Sequence, residues 1–249
     1  MEDAFKKRVT ELARRSDQQG VYCFTHFLDL ASLSDFHSLL PSLPPVPWTL
    51  FGGAEGCERQ MLRFGDASFC GYEAPFPILC LKITPDSPKY AEALSHRDYL
   101  GALMALGIER ELLGDIIVRQ EAAYLFCEER IAPYLMEHFT QARHTALSCA
   151  PVDALPQGAL FETRSVTVQL ASQRADALIA HVYHLSRAQA QGLFPAGKVF
   201  ISGRLCESPG YTPKEGDILS VRGLGRMKYM GVSGLSKKGR EITRIELFV

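Results

Sequence analysis

The residues best equipped for chemistry in this chain of 249 residues are basic, and they gather late. Residues 171–249 hold twelve Lys/Arg against six Asp/Glu, while residues 1–170 hold fifteen against twenty-two. A positive segment on an acidic remainder attracts polyanions and limits indiscriminate binding. Arg174 stands two residues before Asp176, and Ser186 directly precedes Arg187. Lys198 and Arg204 flank a Ser202-Gly203 turn, with Lys214 beyond. A glycine-rich stretch, VRGLGRMKYMGVSGLSKKGR, supplies Arg222, Arg226, Lys228, Lys237, Lys238 and Arg240 with no acidic residue between them.

The chemistry available to such a set is phosphate recognition. A helix beginning at Ser186 offers backbone N–H groups, and Arg187 adds a planar two-pronged donor. Arg187 has two readings, an RNA contact or an ion pair within its own domain. Arg174 has the same two, and Asp176 reads as the group that orients an arginine. Glycines in the 221–240 stretch imply a mobile backbone that approaches phosphates closely. Tyr229 is placed there to stack on an unpaired base. Each basic residue also has the plainer reading of a solvated surface charge.

Catalytic motifs are missing. The sequence contains no GxxxxGK[ST], no GxGxxG and no HExxH. The seven histidines are scattered, and the seven cysteines include no CxxC pair. No metal or cofactor is expected, and the cysteines read as buried small hydrophobes of a reducing compartment. The N-terminus lacks a signal-peptide pattern, and no apolar run approaches a bilayer span. The expectation is a cytoplasmic, monomeric, non-enzymatic protein with no membrane partner.

Periodicity supplies the elements that would position these residues. A helix is expected over 4–16, a second short helix over 21–30, and a non-helical proline-rich connection over 40–47. A strand follows at 48–51 and a helix from 56 to 62. Residues 76–83 read as a buried strand and 96–106 as a helix, with His96, Arg97, Asp98 and Tyr99 either capping it or forming a second RNA surface. After a turn at Gly114, strands are expected at 115–119 and 121–127. A helix over 128–139 and a strand at 146–149 complete a β-α-β-β-α-β order. Glu109-Arg110-Glu111 reads as a solvated turn. Residues 150–159 read as a link and 161–170 as β-rich. Helices at 175–184 and 187–194 follow, then strands at 198–201, 218–221 and 242–249.

The fold class is therefore α+β and multi-domain. A small N-terminal α/β region covers 1–74, and a ferredoxin-like, RRM-like middle domain covers 75–150. A linker and strand cover 151–170, and the basic α-α-β domain with its glycine-rich tail covers 171–249.

The segment from Arg174 to Val221 resembles the S4 RNA-binding domain, an αL-type α/β module. The match runs through Arg174 and Asp176, Ser186-Arg187, Gly197-Lys198-Val199 and Gly216-Asp217. S4 domains usually carry Asn where this chain has Ser202. Phe51-Gly52-Gly53, Glu58-Arg59, HRDYLGALMALGIERELLGDI at 96–116, SVRGLGR at 220–226 and KKGR at 237–240 are similar to YlmH-type S4 proteins. The resemblance implies a ribosome-associated quality-control factor. Its partners would be the large ribosomal subunit, ribosomal RNA and tRNA in the rescue of stalled translation. S4 domains also accompany pseudouridine synthases, so an RNA-modifying enzyme that docks through this module is the alternative. The arginine-leucine-aspartate context of those enzymes is absent.

Overall fold

The computed structural model describes residues 2–152, 161–236 and 239–248. They form two compact units, Met1–Leu160 and Phe161–Val249. Both are mixed α and β.

The first unit begins with helix α1, Glu2–Gln19. Val9, Leu12, Ala13 and Ser16 form its buried stripe, at the spacing an amphipathic helix requires. Strand β1, Cys23–Leu28, follows where a helix was expected. Its aromatic and β-branched residues pair with a partner almost forty positions away, and that pairing overrides the local pattern. Asp29 then caps α2, Leu30–Leu39, by accepting a hydrogen bond from Ser32 N at 2.9 Å. The proline-rich connection opens with a 3₁₀ turn, Leu40–Ser42, contrary to the non-helical expectation. Proline is tolerated in a first turn, where its missing N–H is no loss.

Strand β2, Trp48–Phe51, lies as expected. Residues 60–64, expected to belong partly to a helix, instead form β3, Gln60–Phe64. It is central in a three-stranded antiparallel sheet of order β1-β3-β2, so its apolar run lacks simple alternation. Helices α1 and α2 cover one face around Phe36, Leu62 and Phe64. A short helix α3, Ala67–Cys70, leads away.

The middle of the first unit follows the expected order of elements. Strand β4 is Ile78–Pro85, α4 is His96–Ala105, β5 is Leu113–Val118 and β6 is Ala123–Glu128. Then come α5, Ala132–His138, the two-residue β7, Gln141–Ala142, and β8, Thr145–Pro151. All pairs are antiparallel in the order β5-β6-β4-β8-β7. Leu81, Ile83, Leu113, Leu125 and Leu135 pack between helices and sheet. Asp98 closes a capping box with Ser95, and Tyr99 is buried, so these two residues build the helix. Gly114 lies within β5 at a register irregularity rather than in a preceding turn.

The other face of this sheet meets the N-terminal sheet. Phe126 is 1% exposed. At Gly53, a Cβ would stand 2.2 Å from the Phe126 ring, at a φ of +101°. At Gly114, one would stand 2.8 Å from Phe27. Only glycine permits either approach.

Arg59 locks the two sheets together. Its Nε donates to Leu113 O at 2.8 Å, and Nη2 donates to Phe27 O at 3.1 Å and Arg110 O at 3.2 Å. Asp115 accepts from Glu58 N at 2.6 Å and Arg59 N at 3.1 Å. Arg110 turns inward, donating to Leu113 O and Gly114 O, and does not lie in a solvated turn. Burial, then the neighbouring Arg59, holds Arg110 down at about 10, still cationic at neutral pH.

The second unit opens with β9, Thr163–Leu170. Helices α6, Ala175–Val182, and α7, Arg187–Gly192, follow. Strands β10, Val199–Ile201, β11, Arg204–Leu205, and β12, Ile218–Val221, come next. The last two are β13, Gly225–Leu235, and β14, Glu241–Phe248. The antiparallel sheet has the order β11-β10-β12-β13-β14-β9. Leu178, Ile179, Ala190 and Phe194 bury one face of it. Residues 225–235 of the glycine-rich stretch form a strand, paired with β12 over 225–228 and with β14 from 227 to 235, rather than the mobile backbone expected. Its register shifts between Tyr229 and Gly234, a span that includes Gly231 at φ +83°.

Removing the Arg59 side chain takes a donor from three carbonyls, of which Leu113 O keeps Arg110 Nη1. Arg59→Leu is expected to lower the stability of the first unit by about 3 kcal/mol in urea unfolding. Arg59→Lys should recover little, since one ammonium does not reach the same three oxygens.

Candidate nucleic-acid interface

Asp176 organises the beginning of both helices in the second unit. It sits in the first turn of α6 and is fully buried. Arg174 Nε and Nη2 grip its two oxygens at 3.0 and 3.1 Å, the two-pronged geometry of a strong charge-assisted pair. Gln191 Nε2 of α7 donates to Oδ2 at 2.8 Å, and Arg187 Nε approaches the same atom at 3.6 Å. Burial pulls this carboxyl upward. Hydrogen bonds from Arg174 and Gln191, with the charges of Arg174 and Arg187, outweigh it and hold Asp176 below the usual carboxylate range.

One buried anion thus holds two arginines that both reach solvent, Arg187 with 64% of its side chain exposed. The intradomain ion pair and the outward-facing donor coexist, because a guanidinium has five N–H groups and Asp176 uses only some. Ala175 N and Asp176 N also bond to Tyr211 O and Pro209 O, which docks the 208–211 loop on the helix start. Ser186 is engaged differently. Its Oγ accepts from Gln189 N at 3.2 Å, and Gln189 Oε1 accepts from Ser186 N at 2.9 Å. The hydroxyl shapes the helix start that presents Arg187.

The remaining basic residues cluster by sheet face. Strand register sets Ile218 beside Lys228 and Glu246, and Ser220 beside Arg226. Side chains alternate between faces, so these point away from the face that α6 and α7 cover. Arg244 lies on the same open face, two positions from Glu246. Arg222 N donates to Lys198 O at 2.9 Å, joining those residues at one end. Arg222 lies over Phe200, 5.0 Å from the ring centroid. Arg226 lies over Phe161 and Phe248 at 4.7 and 4.3 Å. Aromatic rings therefore hold these guanidinium planes in place.

Arg204 is exposed on the edge strand β11. Ser202 precedes it at φ +47°, and its hydroxyl donates to Asp217 at 3.0 Å, a contact that pins the turn. Arg240 sits beyond β13, roughly 30 Å along the strand from Arg226, so it belongs to another locality. Lys237 and Lys238 lie outside the described residues. Tyr229 departs from expectation. Its ring is buried, and its hydroxyl donates to Gln173 Oε1 at 3.2 Å, so it cannot stack on a base. Sequence reasoning missed Arg244, Phe161 and Phe248. The alternation of Arg244, Glu246 and Phe248 in the last strand was the available signal.

Among the described residues, no group of three His, Cys, Asp or Glu is placed to hold a metal ion. No helix among them is long and apolar enough to cross a membrane.

A carboxyl held low in the fold stabilises it above the unfolded value near 3.9 and loses that contribution as pH falls through its folded value. Thermal unfolding of the second unit should therefore keep the Asp176 contribution from neutral pH to about 4 and lose it below. Asp176→Asn should melt earlier at neutral pH and converge on the parent in acid. Parallel curves for the two proteins at every pH would refute the assignment.

Residues 73–154 match the family described as "Putative RNA-binding domain in YlmH". The chain is 29% identical over 246 residues to ribosome-associated protein quality control protein P2 of Bacillus subtilis (strain 168), covering 96% of this chain and 92% of that one. A solved structure titled cell division protein ylmH from Streptococcus pneumoniae aligns with 61% of this chain and 90% of its own, at 19% identity and a TM-score of 0.48. The motifs at 51–53, 58–59 and 96–116 and these comparisons point to the same relatives: residues 73–154 match the RNA-binding domain of YlmH, and the chain is similar to a ribosome-associated quality control protein over nearly its whole length.

Proposed function

We propose that this protein is a non-enzymatic, cytoplasmic RNA-binding protein, monomeric when free. It engages the large ribosomal subunit or tRNA during the rescue or quality control of stalled translation. The observation that carries this reading is the pair Arg174 and Arg187, anchored on one buried carboxylate with donors left toward solvent. Holding both guanidiniums in advance reduces the side-chain entropy lost when phosphates bind.

The second unit is read as the S4-type module. Its two short helices on an antiparallel sheet, with the Ser186 cap before Arg187, support that reading. The middle of the first unit is read as RRM-like, supported by its β-α-β-β-α-β order with β4 and β6 central. It does not bind as an RRM does through Phe126, which is covered. The name of the B. subtilis relative supports the ribosomal setting.

The open face holding Lys198, Arg222, Arg226, Lys228 and Arg244 is a second phosphate-binding surface. Among the described strand positions, the acidic Glu246 lies on it too, with Lys228 facing it across the strands. Contacts there are sequence-tolerant, because guanidinium and ammonium groups meet phosphates regardless of the base.

Alanine at Arg187 and at Arg204 should weaken binding across many RNA sequences. The slope of log affinity against log salt should become shallower by roughly 0.7–0.9 per lost phosphate contact. Unchanged affinity and slope would place the interface elsewhere. Crosslinking in cells should concentrate on ribosomal RNA and tRNA, and an even spread over messenger RNA would refute the ribosomal role.

A further inference from the structure

The N-terminal sheet has a face that α1 and α2 do not cover. Strand register puts Phe24, Arg63 and Thr49 side by side on that face, and Phe27, Met61 and Phe51 beyond them. Phe27 is the end that meets Gly114. The opposite end is open. Arg63 lies there between two rings, 5.1 Å from the centroid of Tyr22 and 4.8 Å from that of Phe76. Phe24 and Phe51 pack on Phe76 at 5.7 and 5.4 Å, and Tyr72 meets Tyr22 at 5.1 Å. Phe51 remains 39% exposed and Tyr72 50%.

This cluster is unlike a buried core. Arg63 donates one hydrogen bond, from Nη1 to Ala74 O at 3.0 Å, and its Nε has no partner. Among the described residues no carboxylate lies within ion-pair distance of it. A cation set among aromatic rings without a counter-ion matches a ligand that is both flat and anionic.

We propose that this face is a platform for unpaired RNA nucleotides. Bases stack on the exposed rings, Phe51 foremost, and the negative charge of the phosphodiester faces Arg63. Stacking tolerates any base, because each has a π-face, and an adjacent arginine strengthens it. An apolar peptide would supply contact with the rings but no anion for Arg63. A strand added at either edge of the sheet, β1 or β2, would pair through its backbone and bring no anion to Arg63. The platform rests on the RNA-binding reading above, and extends it from phosphate contact to contact with bases. It also supplies the stacking surface that the covered Phe126 cannot.

The test uses the full chain with two probes, a single-stranded oligouridylate of about a dozen nucleotides and a blunt RNA duplex, both followed by fluorescence anisotropy. Phe51→Ala should weaken the single strand roughly fivefold or more, the loss expected for one stacked base, and leave the duplex unchanged. Phe51→Trp should retain or improve single-strand binding. Arg187→Ala should weaken both probes. If Phe51→Ala unfolds, Tyr72→Ala and Phe51→Trp carry the same comparison. Wild-type affinity for the single strand in folded Phe51→Ala and Tyr72→Ala would overturn the platform and leave the phosphate-binding reading intact. A change in self-association with no change in RNA affinity would assign the face to a second copy and overturn it too. Binding of neither probe by the parent protein would end both readings.

Discussion

A buried carboxylate is costly to fold unless every lone pair finds a partner. Asp176 meets that demand with Arg174, Gln191 and Arg187, drawn from the residue before α6, from α7 and from its first residue. The demand dictates much of the second unit. It sets the approach of α7 to α6, the direction of Arg174, and, through the backbone bonds at Ala175 and Asp176, the seat of the 208–211 loop. The two arginines are the parts of this arrangement that reach solvent. Their outward direction is thus a by-product of satisfying an anion in the core.

The first unit solves a related problem with the opposite charge. Arg59 is buried between two sheets and donates to backbone carbonyls from β1, β5 and the turn before it. Those carbonyls lie on different elements, so one side chain enforces the register of the N-terminal sheet against the middle sheet. Helices occupy one side of the middle sheet, and the Gly53–Phe126 approach closes part of the other. Phe126, on strand β6, is thereby turned into packing.

Legibility in the sequence followed the range of the interactions. The cap at Ser186, the helix beginning at Ala175, the turn at Ser202-Gly203 and strand β12 are local features, and their residues announce them. Strand β1 and strand β3 were mistaken for helices because each is stabilised by the other, across intervening chain, and neither alternates cleanly. The 221–240 stretch misled in another way. Its glycines signalled mobility, yet Gly225, Gly231 and Gly234 lie in a long strand whose register slips around the last two. Tyr229 was lost with it, since nothing local shows that Gln173 lies within reach of its hydroxyl. The Arg59 lock joins residues more than fifty positions apart and left no trace that one sequence alone would reveal.

Strand β9 precedes the two helices of the second unit, and its partner β14 is last among the described strands, paired with it over eight consecutive positions from Thr163–Phe248 to Leu170–Glu241. No nearer strand substitutes for it, since β9 is at the sheet edge and pairs with β14 alone among the described strands. On a ribosome making this protein, β9 emerges well before β14 and must wait. Pairings of such sequence separation form late, after the local helices and hairpins. Arg226, Lys228 and Arg244 share one surface only when β13 and β14 have joined. A growing chain therefore has Arg174 and Arg187 before it has the open basic face. The open basic face is thus assembled as a last act of folding, after the arginines on Asp176 are in place.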